Sequence, residues 1–182
     1  MKKINIAITG GLGKMGQKII NSSKKDKKFK ITSITESKVL NKKVSGLELQ
    51  INSKNAFKDA QVIIDFSVPK CTLAILKIAS SLKKKVVIGT TGFSNKEEKL
   101  IKKYSRKIPI LKAGNMSLGV NLLVYLTEIA SRSLGNSFLN KVFEVHHKHK
   151  KDHPSGTALM LGTVSYTHLR AHETLRYLVC RL

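Results

Sequence analysis

The stretch from Glu144 to Ala158 reads EVHHKHKKDHPSGTA and gathers four histidines and three lysines beside a turn. Imidazoles exchange protons near neutral pH, and ammonium groups stabilise negative charge as it builds, so this composition suits proton transfer to an acidic small molecule. Residues Lys141 to His146 alternate as a strand would, which places the cationic run at a strand end facing a cleft. Pro154 stops the strand. Ser155, Gly156 and Thr157 then present backbone N–H groups ahead of the apolar segment Ala158 to Leu161, a helix N-terminus suited to carboxylate or phosphate. His146 and His149 are spaced as metal ligands can be, but no Cys, Asp or Glu set completes a site, and no metal is expected. His149 and Lys151 read as solvated, and His153 as part of the turn.

A second constellation lies near the start. Gly11, Gly13 and Gly16 satisfy G-x-G-x-x-G, and Gly10 extends the turn. The pattern follows a predicted strand over residues 3 to 9, where Ile4, Ile6 and Ile8 alternate with Asn5 and Ala7, and it opens a predicted helix from Lys14 to Ser22. That context fits a dinucleotide: backbone must approach the pyrophosphate with no Cβ between, and the helix N-terminus faces the negative charge. Glu36 ends a second predicted strand, Phe29 to Glu36, about 20 residues on, where a carboxylate accepts from a ribose 2′-hydroxyl. A carboxylate there favours NADH, whereas Lys14 and Lys38 offer charge to the 2′-phosphate of NADPH, so both cofactors stay open. Two further loops, Gly89 to Phe93 (GTTGF) and Ala113 to Ser117 (AGNMS), fall at predicted strand ends, where small residues admit a nicotinamide ribose or ring and Asn115 offers donor and acceptor.

The elements that carry these groups follow from short apolar runs at Val62 to Phe66, Val86 to Gly89 and Ile108 to Leu111, with helical patterns at Cys71 to Leu82 and Asn95 to Tyr104 between them. Runs of this kind suit a parallel sheet buried on both faces. Ser94 and Glu97 form a capping box at the second helix. The order β-α-β-β-α-β-α-β predicts an open α/β sheet. After Lys112 the character changes: AGNMSLG is a connector, Val120 to Leu134 an apolar helix, and Lys141 to His146 begins a new sheet, so a boundary is expected near Gly114. The expected fold is therefore α/β, with a Rossmann-type parallel sheet over residues 1–113 and a partial second α/β substrate domain over 114–162.

At 182 residues and a formal charge of +23, the chain can bury a core and carries a strong positive field. The lysines are scattered through turns and helix ends (Lys24, Lys25, Lys27, Lys28, Lys83, Lys84, Lys85), which reads as solvated surface and not as a nucleic-acid groove. Cys71 and Cys180 have no paired or zinc-like spacing, which points to a reducing cytoplasm. The opening MKKINIAITGG is too short for a signal peptide, and no segment is apolar for long enough to span a bilayer. The last stretch, TVSYTHLRAHETLRYLVCRL, breaks the composition: lysine vanishes after Lys151 while arginine recurs at Arg170, Arg176 and Arg181. It is similar to a tail found on unrelated predicted proteins as translated non-native sequence. The expectation is a break near Gly162 or Thr163, with residues 163–182 foreign.

Taken together, TGGLGKMG, VIIDFS, VIGTTGF, AGNMSLGVN and above all EVHHKHKKDHPSGTA resemble 4-hydroxy-tetrahydrodipicolinate reductase, also called dihydrodipicolinate reductase, over residues 1 to about 162. The H-H-x-x-K and P-S-G-T elements carry most of that resemblance. It implies a Rossmann domain for NADH or NADPH, a second domain for a dicarboxylate substrate, and a homotetramer, serving the diaminopimelate route to lysine. It implies general acid-base duty for His146, proton donation by Lys150, and substrate carboxylate binding by His147, Gly156 and Thr157. On the cofactor side it implies Gly10, Gly11, Leu12, Gly13, Lys14, Met15, Glu36, Gly89, Thr90, Thr91, Ala113, Gly114, Asn115 and Met116. Ser37 stands where many members carry arginine against the NADPH phosphate. The alternatives are a nucleotide-sensing or nucleic-acid-binding module without chemistry, and a different NAD(P)-dependent dehydrogenase.

Overall fold

The computed structural model describes residues 3–38, 41–135, 138–146, 154–167 and 178–180. It divides into two units, Met1–Gly114 and Asn115–Leu182. The first runs β1 (Ile4–Thr9), α1 (Lys14–Lys25), β2 (Phe29–Glu36), β3 (Lys43–Val44), β4 (Leu47–Ile51), α2 (Lys54–Phe57), β5 (Val62–Asp65), α3 (Pro69–Ser81), β6 (Lys85–Ile88), α4 (Asn95–Ser105) and β7 (Ile110–Lys112). Its seven strands lie in the order β3-β4-β2-β1-β5-β6-β7 and are parallel except for the β3–β4 pair. The chain leaves β1 toward β2 and β4, then returns to lay β5 on the other side of β1. The strand order thus reverses between β1 and β5, which opens a crevice at their carboxyl ends.

Apolar residues bury both faces of the sheet because neighbouring side chains on a strand point to opposite sides. Ala7 and Ile63 pack with Ile75, Leu76, Val86 and Ile88, while Ile6 and Ile8 pack with Ile20 and Ile34. Each fully buried isoleucine, leucine or valine among them contributes roughly 1.5–3 kcal/mol of transfer free energy. The Ser94–Glu97 capping box forms as expected and starts α4.

Several element boundaries, one hairpin and one short helix depart from the sequence reading. The β3–β4 hairpin and the short α2 were not expected, although Leu47, Leu49 and Ile51 alternate with Glu48 and Gln50. Ser45 and Gly46 join the two strands with φ of 58° and 81°, the doubly left-handed turn that matches strand twist. α3 begins at Pro69, since proline at a first helical position loses no hydrogen bond. β7 begins at Ile110 and not at Ile108: Pro109 has no N–H for the ladder, although its carbonyl accepts from Val86 N.

The second unit holds α5 (Leu118–Leu134), β8 (Val142–Glu144), α6 (Gly156–Thr167) and β9 (Leu178–Cys180), which pairs in parallel with β8. β8 is shorter than the expected Lys141–His146 strand, so His146 lies just past its end. α6 starts at Gly156, two residues before the expected apolar start. α5 packs on α6 but leaves Leu118, Leu122, Tyr125 and Leu126 largely exposed. Among the described residues no helix is long and apolar enough to cross a membrane.

Candidate active site

The glycine turn after β1 is built so that side chains cannot enter it. Gly10 has φ of 68°, and a Cβ on it would lie 2.7 Å from the Phe66 carbonyl oxygen. A Cβ on Gly11 would run into the Ile34 side chain, and one on Gly16 into the Gly10 carbonyl. Gly13 caps α1 with extended backbone and no side-chain hydrogen bond, and the first turn of α1 holds no acidic residue. These glycines let the turn pack tightly against β2, the loop after β5 and its own backbone, and the first N–H groups of α1 receive no side-chain cap from Gly13, as a pyrophosphate-binding helix start requires. Lys14 and Met15 are exposed on that first turn. Gln17 Nε2 donates to the Gly11 carbonyl and braces the turn from the helix side.

Glu36, at the end of β2, accepts the Leu12 backbone N–H on Oε1 at 2.8 Å. Across the sheet, Thr9, Asp65, Ile88 and Lys112 are in register, so the loops after β1, β5, β6 and β7 leave from one edge. Ala113 N donates to the Ile88 carbonyl at 3.1 Å, which carries the β7 register into the connector. Gly89 sits against the Phe66 ring, where a Cβ would overlap the aromatic carbons. Thr91 and Gly92 are exposed beyond it.

A residue that sequence reasoning passed over organises these loops. Asp65 is fully buried and accepts hydroxyl hydrogen bonds from Thr9 at 2.7 Å and from Ser67 and Thr72 at 2.5 Å, with Thr90 at 3.3 Å. Thr90 in turn accepts the Ser67 N–H at 3.0 Å. A carboxylate inside a sheet is tolerable only with such a set of donors. The D in VIIDF, an acid closing an otherwise apolar strand, was the available signal.

In the second unit Asn115 Oδ1 accepts the Ser117 N–H at 2.8 Å, and its Nδ2 donates to Thr157 Oγ1 at 3.3 Å. An expected cofactor residue and an expected substrate residue are thus directly bonded. Gly114 and Met116 flank this connector and are exposed. His146 is partly exposed, with Nε2 2.8 Å from Glu144 Oε2, and Glu144 Oε1 accepts the Ser155 N–H at 2.8 Å. Ser155 is buried, and its hydroxyl accepts from Ala158 N at 3.1 Å, which holds the first turn of α6 and with it Gly156 and Thr157. His147, Lys150, His149, Lys151 and His153 lie outside the described residues. Among the described residues no three His, Cys, Asp or Glu side chains come together as metal ligands.

Two family profiles fall on this chain: dihydrodipicolinate reductase, N-terminus, over residues 4–116, and dihydrodipicolinate reductase, C-terminus, over residues 119–181. The chain belongs to the dihydrodipicolinate reductase family. Among curated relatives it is 69% identical over 162 residues to the 4-hydroxy-tetrahydrodipicolinate reductase of Pelagibacter ubique (strain HTCC1062), with 89% of this chain and 63% of the relative covered. It is 39% identical over 175 residues to the reductase of the same name from Buchnera aphidicola subsp. Schizaphis graminum, with 88% of this chain and 63% of the relative covered. The chain thus spans just under two thirds of the length of these reductases. A dipicolinate-bound dihydrodipicolinate reductase from Paenisporosarcina sp. TG-14 superimposes with a TM-score of 0.76 at 22% identity, covering 94% of this chain and 69% of that one. A Rex-family repressor superimposes with a TM-score of 0.51 at 12% identity over 73% of this chain and 62% of its own, a likeness of fold alone.

Proposed function

We propose that this chain carries the cofactor site and the proton-donating segment of an NADH- or NADPH-dependent reductase that converts 4-hydroxy-tetrahydrodipicolinate to tetrahydrodipicolinate, in the cytoplasm, on the diaminopimelate route to lysine. The observation that carries this reading is the glycine turn, whose backbone excludes a Cβ at an uncapped helix start in a chain of this family. The residues present fit a dinucleotide: Gly10 to Met15 would hold the pyrophosphate, Glu36 the adenosine ribose, and the loops Gly89–Thr91 and Ala113–Met116 the nicotinamide end. When bound, the nicotinamide supplies the hydride.

The rest belongs to the protein. Hydride addition to an unsaturated ring leaves carbanion character that must be protonated, and an imidazole serves this near neutral pH. His146 takes that role. Lys150 and His147 add positive charge and grip the dicarboxylate with the N–H groups of Gly156 and Thr157 at the start of α6. Concentrating cations in one segment is what a dicarboxylate substrate demands. The reading divides the chain into a cofactor unit over residues 1–113 and a substrate unit over 114–162, assembled as a homotetramer. It takes 163–182 as foreign on the strength of the lysine-to-arginine switch, although the C-terminal family match runs to residue 181. An unbroken genomic reading frame encoding that tail in independent clones overturns this last part.

Fluorescence titration with NADH and NADPH, beside a DNA-binding assay across a salt series, tests the main reading. Saturable nucleotide binding with quenching supports it. Steeply salt-dependent DNA affinity with no nucleotide binding replaces it with a nucleic-acid-binding module. This chain spans just under two thirds of its curated relatives, so the test of His146 belongs to an intact homologous chain, where replacing that histidine lowers turnover roughly 10²- to 10⁴-fold, the usual worth of a positioned acid-base group. Unchanged turnover removes His146 from the chemistry.

A further inference from the structure

We infer that Glu144 is the positioning residue of the proton-donating segment: one carboxylate selects the ring nitrogen of His146 that faces the reaction and pins the two ends of the cationic run. This rests on the reductase reading for the meaning of His146, but not for the geometry. Glu144 is the last residue of β8 and His146 lies two residues beyond it, so it is the direct contact and not strand periodicity that brings the two side chains together. Oε2 meets His146 Nε2 at 2.8 Å while Oε1 accepts the Ser155 N–H at 2.8 Å, eleven residues further on. The Glu144 side chain is 10% exposed and that of His146 33%, so the acid lies beneath and the imidazole toward solvent.

An ionised carboxylate only accepts hydrogen bonds, so Nε2 carries a proton in this pair. Nδ1 is then the nitrogen that donates to substrate. In the step itself the imidazolium gives the Nδ1 proton to the ring carbon. A C–H bond forms, the N–H bond breaks, and neutral imidazole remains with its Nε2–H still on Glu144, which takes up no proton. The second contact acts on position. Residues 147–153, with His147 and Lys150, run between His146 and Ser155, and both anchor points are held by the same side chain. Ser155 also holds the first turn of α6, so His146 and the carboxylate-binding helix start share Glu144 as one fixed point. Carboxylates that orient a metal-ligating histidine are typically worth about 10- to 100-fold, and an effect of the same order is expected for an imidazole oriented to give up a proton.

Two measurements decide it. In the ¹⁵N-labelled 182-residue chain, with the His146 ring assigned by its loss in His146→Gln, an Nε2–H resonance protected from solvent exchange is expected, and Glu144→Ala abolishes that protection. If Glu144→Ala does not fold, Glu144→Gln keeps the shape and is expected to weaken it. In steady-state assays Glu144→Gln lowers kcat about 10- to 100-fold and leaves KM for NADH unchanged. An Nδ1–H ring, or protection indifferent to residue 144, overturns the proposal, as does an unaltered kcat in an active enzyme. A parent chain that binds no nucleotide and turns over no substrate counts against the reductase reading instead, and the ring resonances still decide the role of Glu144.

Discussion

Leu12 donates its backbone N–H to Oε1 of Glu36 across 2.8 Å, so the acid at the end of β2 is fastened to the glycine turn that follows β1. A hydrogen bond to a charged acceptor is worth about 1.5–3 kcal/mol net. The fastening sets the carboxylate at the turn before any ribose arrives, which lowers the ordering cost of binding. Glu36→Ala should therefore weaken NADH about tenfold or more by fluorescence titration. NADPH should lose less, because the same change removes a negative charge that opposes the 2′-phosphate. Equal losses for both cofactors would show that Glu36 does not read the ribose.

The glycines of the turn are unequal, and a pair of alanine variants should rank them. A Cβ at Gly16 would overlap the Gly10 carbonyl oxygen and lie 2.9 Å from Gly11 Cα, both rigid backbone. At Gly13 the nearest atom is the Gly10 carbonyl oxygen at 3.3 Å, a distance that a small shift relieves. Gly16→Ala should cost about 1–3 kcal/mol, the range for overpacking, and lower Tm by several degrees. Gly13→Ala should change Tm far less. Matching melting curves for the two variants would contradict this account of the turn.

The first unit was legible wherever a pattern of period two or a glycine run reported directly on backbone demand. Ile4, Ile6 and Ile8 mark β1 and Gly11, Gly13 and Gly16 mark the turn because the requirement is local. The β3–β4 hairpin carried its own signal in Ser45–Gly46 and the alternation of Leu47 to Ile51, but its strands are short and at the sheet edge, so no long apolar run announces them. Asp65 and Glu144 escaped for another reason. Each has near partners, but its role also depends on distant ones, Thr9 fifty-six residues from Asp65 and Ser155 eleven from Glu144, and one-dimensional spacing does not bring those together. The E-x-H step at Glu144 and His146 was visible, yet its sense depends on the strand ending there.

Cys71 gives a pH test of packing under α3. Burial pushes its thiol above the ordinary range; the hydrogen bond that Asn52 Nδ2 donates to its sulfur at 3.2 Å opposes this and the nearby Asp65 carboxylate adds to it. The thiol should therefore alkylate slowly at neutral pH in the folded chain and at an ordinary rate in urea. The linkage has a definite sign. The raised folded value favours the neutral form, so its share of stability is complete below the unfolded thiol value and is lost as pH rises through the folded one. Cys71→Ala should flatten that alkaline fall in urea midpoint. A fall of the same slope in both proteins would place its origin elsewhere.

Asp65 gives the strongest prediction about stability. Its carboxylate is fully buried and satisfied by the hydroxyls of Thr9, Ser67 and Thr72, with Thr90 at a longer reach. Asp65→Ala leaves those hydroxyls without their acceptor and opens a space at the crevice between β1 and β5, a loss of about 3 kcal/mol. Asp65→Asn keeps the volume but turns an NH2 toward groups arranged to donate, so it should cost about 1–3 kcal/mol. Thr90→Ala removes one weak donor from this set and should cost less than either. Because Thr90 also receives the Ser67 N–H, the Asp65 variants should loosen the loops after β5 and β6 together and weaken NADH binding even where the chain still folds. Urea unfolding gives the order, and NADH titration of the folded variants gives the coupling. If Asp65→Ala unfolds at the parent midpoint, or Thr90→Ala proves the more damaging, the carboxylate is not what holds the strand ends in place.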